Sequence, residues 1–161
     1  MDPTISCGVA GDEFAVGVQP HLAAMTHLAA RLVGPTHRDD LVQEALTRAW
    51  RRRSTYDAAR GSYKTWLLTI VAGEAARRRW YRREDRALTR PSKTTDPGDR
   101  IDIERAVARL PKRQRLAIAL HYFLDLDIDS CARVMECSPG TVKSTLHDAR
   151  QHLRHYIEEP A

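Results

Sequence analysis

The sequence predicts an all-α protein of two small helical domains, residues 13–83 and 101–157, joined by a flexible linker at 84–100. Three observations carry that reading. Apolar residues recur at the three- and four-residue spacing of amphipathic helices along most of the chain. Glycine, proline and small polar residues interrupt the pattern where helices would start and stop. Between the two periodic regions lies EDRALTRPSKTTDPGDR (84–100), with two prolines, a glycine, few apolar side chains and no net charge, a composition suited to a linker.

In the first domain, Phe14, Val18, Leu22, Met25, Leu28, Ala29 and Leu32 predict a helix from Glu13 to about Gly34. Gly34-Pro35 ends it, glycine as stop and proline as breaker. Thr36 is placed to cap the next helix, with Asp39 in its first turn. That helix runs to about Arg52, with Leu41, Val42, Ala45, Leu46 and Ala49 inward and Asp39, Asp40, Gln43, Glu44, Thr47 and Arg48 outward. Ser54 to Ser62 loses the periodicity and reads as a loop, with Gly61 its most flexible point. A third helix starts near Ser62 or Tyr63 and continues to about Arg83, with Trp66, Leu67, Ile70 and Val71 on its apolar side and an arginine-rich end.

In the second domain, Ile103, Val107 and Leu110 mark a short helix, and Pro111 opens the next at a position that tolerates proline. Leu116, Ala117, Ile118, Leu120, Tyr122 and Phe123 carry that helix inward. A third helix spans about Asp127 to Met135. Ser138-Pro139 reads as N-cap and first residue of a fourth, ending near Ile157. The last two have helix-turn-helix spacing. Ala132 is small where the helices cross, Val142 and Leu146 point inward, and the turn is Glu136-Cys137-Ser138. Glu136 stands where such turns usually take glycine, and a left-handed backbone there costs about 1 kcal/mol. The same spacing also fits an antiparallel hairpin with no DNA role. In the helix-turn-helix reading, the helix from Pro139 enters the major groove. Thr141, Lys143, Ser144, Thr145, His147 and Arg150 are its outward polar set, with Lys143 and Arg150 suited to phosphate or guanine.

Charge sharpens this picture. The net charge is +5 over 161 residues. Residues 51–83 hold ten basic side chains against two acidic ones, Asp57 and Glu74, a net +8. Residues 1–50 are net −3 and residues 84–161 balance at thirteen of each sign. So local a concentration is the footprint of a polyanion partner, although a solvated helix face carries such runs too. Aromatics are interleaved: Tyr56, Tyr63, Trp66, Trp80 and Tyr81. Rings stack on exposed bases while arginines track phosphates, which suits melted DNA. Trp66 and Trp50 fit packing better. Tyr56 and Tyr63, flanking the loop, are the stacking candidates.

Other function classes fit poorly. Apolar residues make up 42% of the chain, enough to fold, yet no run reaches the roughly 18–20 needed to span a membrane. The first residues lack the basic and apolar segments of a secretory signal, so a cytoplasmic setting is expected. Cys7, Cys131 and Cys137 lack paired spacing and a partner histidine, and read as small hydrophobes rather than disulfide or metal ligands. No nucleophile with a supporting base is evident, and no catalytic site, metal or cofactor is expected.

Four segments in order, DDLVQEALTRAW (39–50), YDAARGSYKTWLLTIVAGEAARRRW (56–80), LPKRQRLAIALHYF (110–123) and ECSPGTVKSTLHDAR (136–150), resemble bacterial extracytoplasmic-function (group IV) sigma factors. The likeness covers roughly residues 13–157, as region 2, linker and region 4. It implies that Asp39, Asp40, Gln43, Glu44 and Arg48 dock on the clamp helices of the largest subunit of core RNA polymerase. It implies that the loop from Tyr56 to Ser62 captures a base flipped from the −10 element. Arg60, Ser62, Tyr63, Lys64, Arg77 and Arg78 then contact that element and its backbone. The set Thr141, Lys143, Ser144, Thr145, His147 and Arg150 reads the −35 element of promoter DNA, while the first helices of that domain meet the flap of the other large subunit. The resemblance also admits an anti-sigma factor as partner. Gly73 and Arg77 stand where the family often has asparagine and aspartate, and Thr145 where arginine is common.

Two other classes fit the sequence less well. A stand-alone helix-turn-helix regulator would bind duplex DNA without polymerase, usually as a symmetric dimer, and has little use for the arginine and aromatic segment. A recombinase or nuclease would need clustered carboxylates for metal. Asp39, Asp40 and Glu44 form a tight acidic group, and a docking face explains them better.

Overall fold

The computed structural model describes residues 12–77 and 99–158. Every regular element among them is helical. In the first module these are α1 (12–18), a 3-10 turn at Gln19–His21, α2 (Leu22–Val33), α3 (Arg38–Arg51) and α4 (Tyr63–Arg77). The stripe expected to form one helix from Glu13 to Gly34 is broken at Pro20, which sits in the first positions of the 3-10 turn. Its missing N–H and its ring both oppose a continuous α-helix. Gly34 ends α2 with φ 79°.

Thr36 does not cap α3. The cap position belongs to His37, which makes no side-chain cap bond, and Asp39 and Asp40 fill the first turn, where negative charge meets the positive end of the helix dipole. Ser62 does cap α4, its Oγ accepting the Thr65 N–H at 3.1 Å. The expected extension of this helix to Arg83 lies outside the described residues beyond Arg77. Fully buried Met25, Leu28 and Ala29 of α2, Leu41, Ala45 and Ala49 of α3, and Leu67, Leu68 and Val71 of α4 form the core of this module.

The second module contains α5 (Asp99–Arg109), α6 (Lys112–Ile118), a π-helical turn at Ala119–Phe123 continuing α6, α7 (Ile128–Val134) and α8 (Pro139–Glu158). Pro111 takes the cap position before α6 rather than a place within it. Asp127 caps α7 by accepting the Ser130 N–H at 2.6 Å, which holds its carboxyl below the usual carboxylate range. Ser138 caps α8, accepting the Thr141 N–H at 3.2 Å. Glu136 has φ 49°, the left-handed turn expected between the last two helices. Cys131 and Cys137 are free thiols. Burial pushes the Cys131 thiol up to about 11.

The modules are not held apart. Helix α2 lies against α6 and α4 against α7, and the buried residues of both modules form one continuous cluster.

Three measurements test these local readings. Glu136→Gly relieves a left-handed residue and should raise stability by about 0.5–1 kcal/mol in chemical denaturation. Gly73 sits mid-helix, and a Cβ there would meet nothing nearer than an Arg77 nitrogen at 3.9 Å. Gly73→Ala should therefore add a similar amount, about 0.5–1 kcal/mol. In alkylation at pH 8, Cys137, half-buried, should react in the folded protein while Cys131 reacts only on unfolding, because little Cys131 is thiolate at that pH.

Candidate nucleic-acid interface

Three groups of side chains follow from this framework. The first is the outer face of α3. Asp39, Asp40 and Gln43 are exposed, while Glu44 and Arg48 are half-buried. Arg38 donates from Nε to Asp39 at 2.8 Å, and that bond holds the Asp39 carboxyl below its usual range. Arg48 turns instead toward α4, where it pairs with Glu74. The Glu74 side chain is 9% exposed and is also paired with Arg77 at 2.9 Å. A carboxylate this buried needs compensating partners. Two arginines expected to serve different partners, Arg48 polymerase and Arg77 DNA, thus converge on one acid. The cleft above it is lined by Glu44, Thr47, Arg48, Arg51, Arg52 and Glu74. Glu74 carried no sequence signal beyond being one of two acids in a basic run.

The second group surrounds the loop before α4. The chain leaves α3 through 3-10 turns at Arg53–Thr55 and Ala58–Arg60. Asp57 accepts the Ala59 N–H at 2.9 Å, and Gly61 has φ 153°. Tyr56 and Tyr63 meet edge to face, with centroids 4.9 Å apart. Both also touch Trp66, at 5.7 and 5.2 Å. The two tyrosines are therefore half-buried members of an aromatic cluster, and burial raises the Tyr63 phenol. Arg60 and Ser62 are exposed. Lys64 donates from Nζ to the Leu124 carbonyl of the second module at 3.0 Å. Arg78 lies outside the described residues. Trp50 packs edge-on against Phe14 at 5.3 Å, as expected of a packing residue.

The third group is the outer face of α8. Lys143, Ser144, His147 and Arg150 are exposed, and Thr141 is half-buried with its hydroxyl on Ser138. Thr145 departs from the expected outward set. It is 8% exposed and its hydroxyl donates to the Thr141 carbonyl at 2.7 Å. The reason is helical phase: Val142, Leu146 and Ala149 are buried on the same stripe, and position 145 falls between them. Tyr122 departs the other way. Expected inward, it is 49% exposed, and Arg150 donates to its hydroxyl at 3.3 Å. The π turn at Ala119–Phe123 shifts the phase of α6, and periodicity based on a regular helix cannot anticipate that shift.

A helix-turn-helix with a basic, hydroxyl-bearing outer face, beside a module joining an acidic helix to an aromatic and arginine-bearing loop, defines a two-module helical DNA-binding protein. Family comparisons specify which. The sigma-70 region 2 family model matches residues 18–87, and the sigma-70 region 4 family model matches residues 100–153. The chain is 31% identical over 122 residues to the ECF RNA polymerase sigma factor SigF of Caulobacter vibrioides, covering 71% of this chain and 68% of that one. It is 29% identical over 151 residues to SigL of Mycobacterium tuberculosis, covering 86% and 85%. Among solved structures, the sigma factor RpoE in complex with the anti-sigma factor NepR from Bartonella quintana superposes with a TM-score of 0.73. That match has 25% identity and covers 92% of this chain and 99% of that one. CnrH in complex with the cytosolic domain of CnrY shares the fold, at TM-score 0.68 and 20% identity. The chain belongs to the extracytoplasmic-function sigma factors, which direct RNA polymerase to promoters.

The Glu74 network generates one expectation. Glu74→Ala should lower stability by about 1–2 kcal/mol, less than a fully buried pair would cost, because Arg48 and Arg77 can both reach water. Thermal melts of the variant and wild type check this. An unchanged melting temperature would show that the network does not hold α3 to α4.

Proposed function

We propose that the two modules divide promoter recognition between them: residues 13–83 dock on core polymerase and take the −10 element, and residues 101–157 take the −35 element. The observation that carries this division is the segregation of exposed side chains. Asp39, Asp40 and Gln43 line one side of α3, while Lys143, Ser144, His147 and Arg150 line the outer side of α8. Opposite charges at these separate places suit a basic protein surface in one case and DNA phosphates and base edges in the other. Tyr56 and Tyr63 would stack a flipped base, with Arg60 and Lys64 on the adjoining backbone. The polypeptide is a specificity subunit rather than an enzyme in its own right, working in the cytoplasm where core polymerase is found. Among the described residues no helix is long and apolar enough to cross a membrane. An anti-sigma factor is a further proposed partner, supported by the superposed sigma factor RpoE, solved with the anti-sigma factor NepR.

Three sets of variants separate the roles. Asp40→Lys with Glu44→Lys should abolish pull-down of core polymerase with a native circular dichroism spectrum. Retained binding would remove α3 as the docking face. Tyr56→Ala with Tyr63→Ala should impair strand opening, read by permanganate reactivity at the −10 element, by about 1–3 kcal/mol per stacked base. Closed-complex formation should suffer less. Because both rings pack on Trp66, a variant that loses melting temperature and both activities together would assign them to packing instead. Lys143→Ala and Arg150→Ala should reduce −35 occupancy, with a shallower salt dependence. Thr145→Val should leave occupancy nearly unchanged.

A further inference from the structure

We infer that Glu74 is a positioning residue for Arg77, and that the guanidinium it holds reads a guanine in the −10 element. The inference rests on the proposal that the first module takes that element. The choice of base and the part played by Glu74 go beyond it.

Arg77 lies in the last turn of α4. Its Nη1 donates to Glu74 Oε1 at 2.9 Å. Its Nη2 folds back over Gly73, where a Cβ would come 3.9 Å from it. The bare glycine gives the guanidinium a floor one turn back along the helix, and the carboxylate fixes its rotation. The anchor itself is held, because the Glu74 side chain is 9% exposed and also pairs with Arg48 across the seam to α3. A guanidinium is planar and carries five N–H donors. With Nη1 committed to Glu74, the edge formed by Nε and Nη2 keeps a parallel pair of donors. Arg77 remains 52% exposed, so that edge can meet a ligand.

A fork held in this way suits a base edge better than a phosphate. Phosphate binding gains from net positive charge, and the Glu74 carboxylate neutralises part of the charge on Arg77. Hydrogen-bond donation survives that neutralisation, and fixed orientation sharpens it. Two parallel donors match O6 and N7 of guanine, whereas adenine presents an amino donor in place of O6. Exposed Arg51 and Arg52 line the cleft beside Glu74 and are better placed for phosphates.

The test is transcription by core polymerase carrying the full chain, on a duplex promoter library randomised across the −10 and −35 elements and read by sequencing the transcripts. At one −10 position the wild type should favour guanine over adenine by about 5- to 150-fold, the discrimination of one bidentate pair. Arg77→Ala should abolish that preference. Arg77→Lys, which keeps the charge and lacks the planar fork, should abolish it too. Glu74→Gln should lower it by about 2-fold or more, and should add nothing in the Arg77→Ala background. Stability and polymerase docking act equally on both templates, so a merely structural Glu74 would leave the ratio unchanged, and that result overturns its positioning role. An unaltered preference in Arg77→Ala, or a uniform fall across all templates, overturns the base contact and leaves the division of promoter elements standing. A preference lost within the −35 element instead overturns that division. Templates carrying 7-deazaguanine at the preferred position, which lacks N7, repeat the test with the wild-type chain should a variant fail to fold. Their yield should fall, and an undiminished yield overturns the contact.

Discussion

Helix α4 has to bury more than one side, and that constraint organises the molecule. Leu67, Leu68, Ile70 and Val71 are all buried, and four such positions within five residues cannot lie on one narrow stripe of a helix. Helices α2 and α3 cover part of this surface, and α7 of the second module packs against α4 as well. One helix therefore provides both the centre of the first module's core and a seat for the second. Its first turn escapes burial only in part. Ser62 remains exposed, while Tyr63 and Lys64 are half-buried.

The polar groups follow from that packing. Glu74 is carried into the seam between α3 and α4 by the same helix, and its burial draws in Arg48 from one face and Arg77 from the next turn. Side chains expected to serve a protein partner and a DNA partner become one internal network. The face proposed for polymerase and the face proposed for melted DNA thus share a carboxylate as well as a core. The aromatic cluster of Tyr56, Tyr63 and Trp66 does comparable work at the other end of α4. It fixes the loop that precedes the helix while leaving the tyrosines half-accessible.

In the second module, capping and turn geometry decide where α8 points. Asp127 and Ser138 each satisfy an N–H at the start of a helix, and the left-handed Glu136 turns the chain between them. Ala132 and Val142 are buried where the two helices cross, which leaves Lys143, Ser144, His147 and Arg150 on the open side. The strain at Glu136 is small enough for the packed helices to offset.

Much of this was legible in the sequence, because helix periodicity, caps and turns are local properties. The helical course of α2, α3, α4 and α8, the Ser138 cap, the glycine stop at Gly34 and the left-handed Glu136 all follow from residues within a turn or two of one another. The order of four motifs made the family recognisable for the same reason. Tertiary structure alone decided the rest. Thr145 faces inward because the buried stripe of α8 is broader than its strongly apolar residues suggest, and Tyr122 faces outward because a π turn resets the helical phase. The pairing of Arg48 with Glu74, 26 positions apart, and of Lys64 with Leu124, 60 positions apart, depends on which helices lie side by side. That arrangement is set by burial of apolar surface, a force without direction or sequence spacing, so no local pattern could announce which charged group would meet which partner.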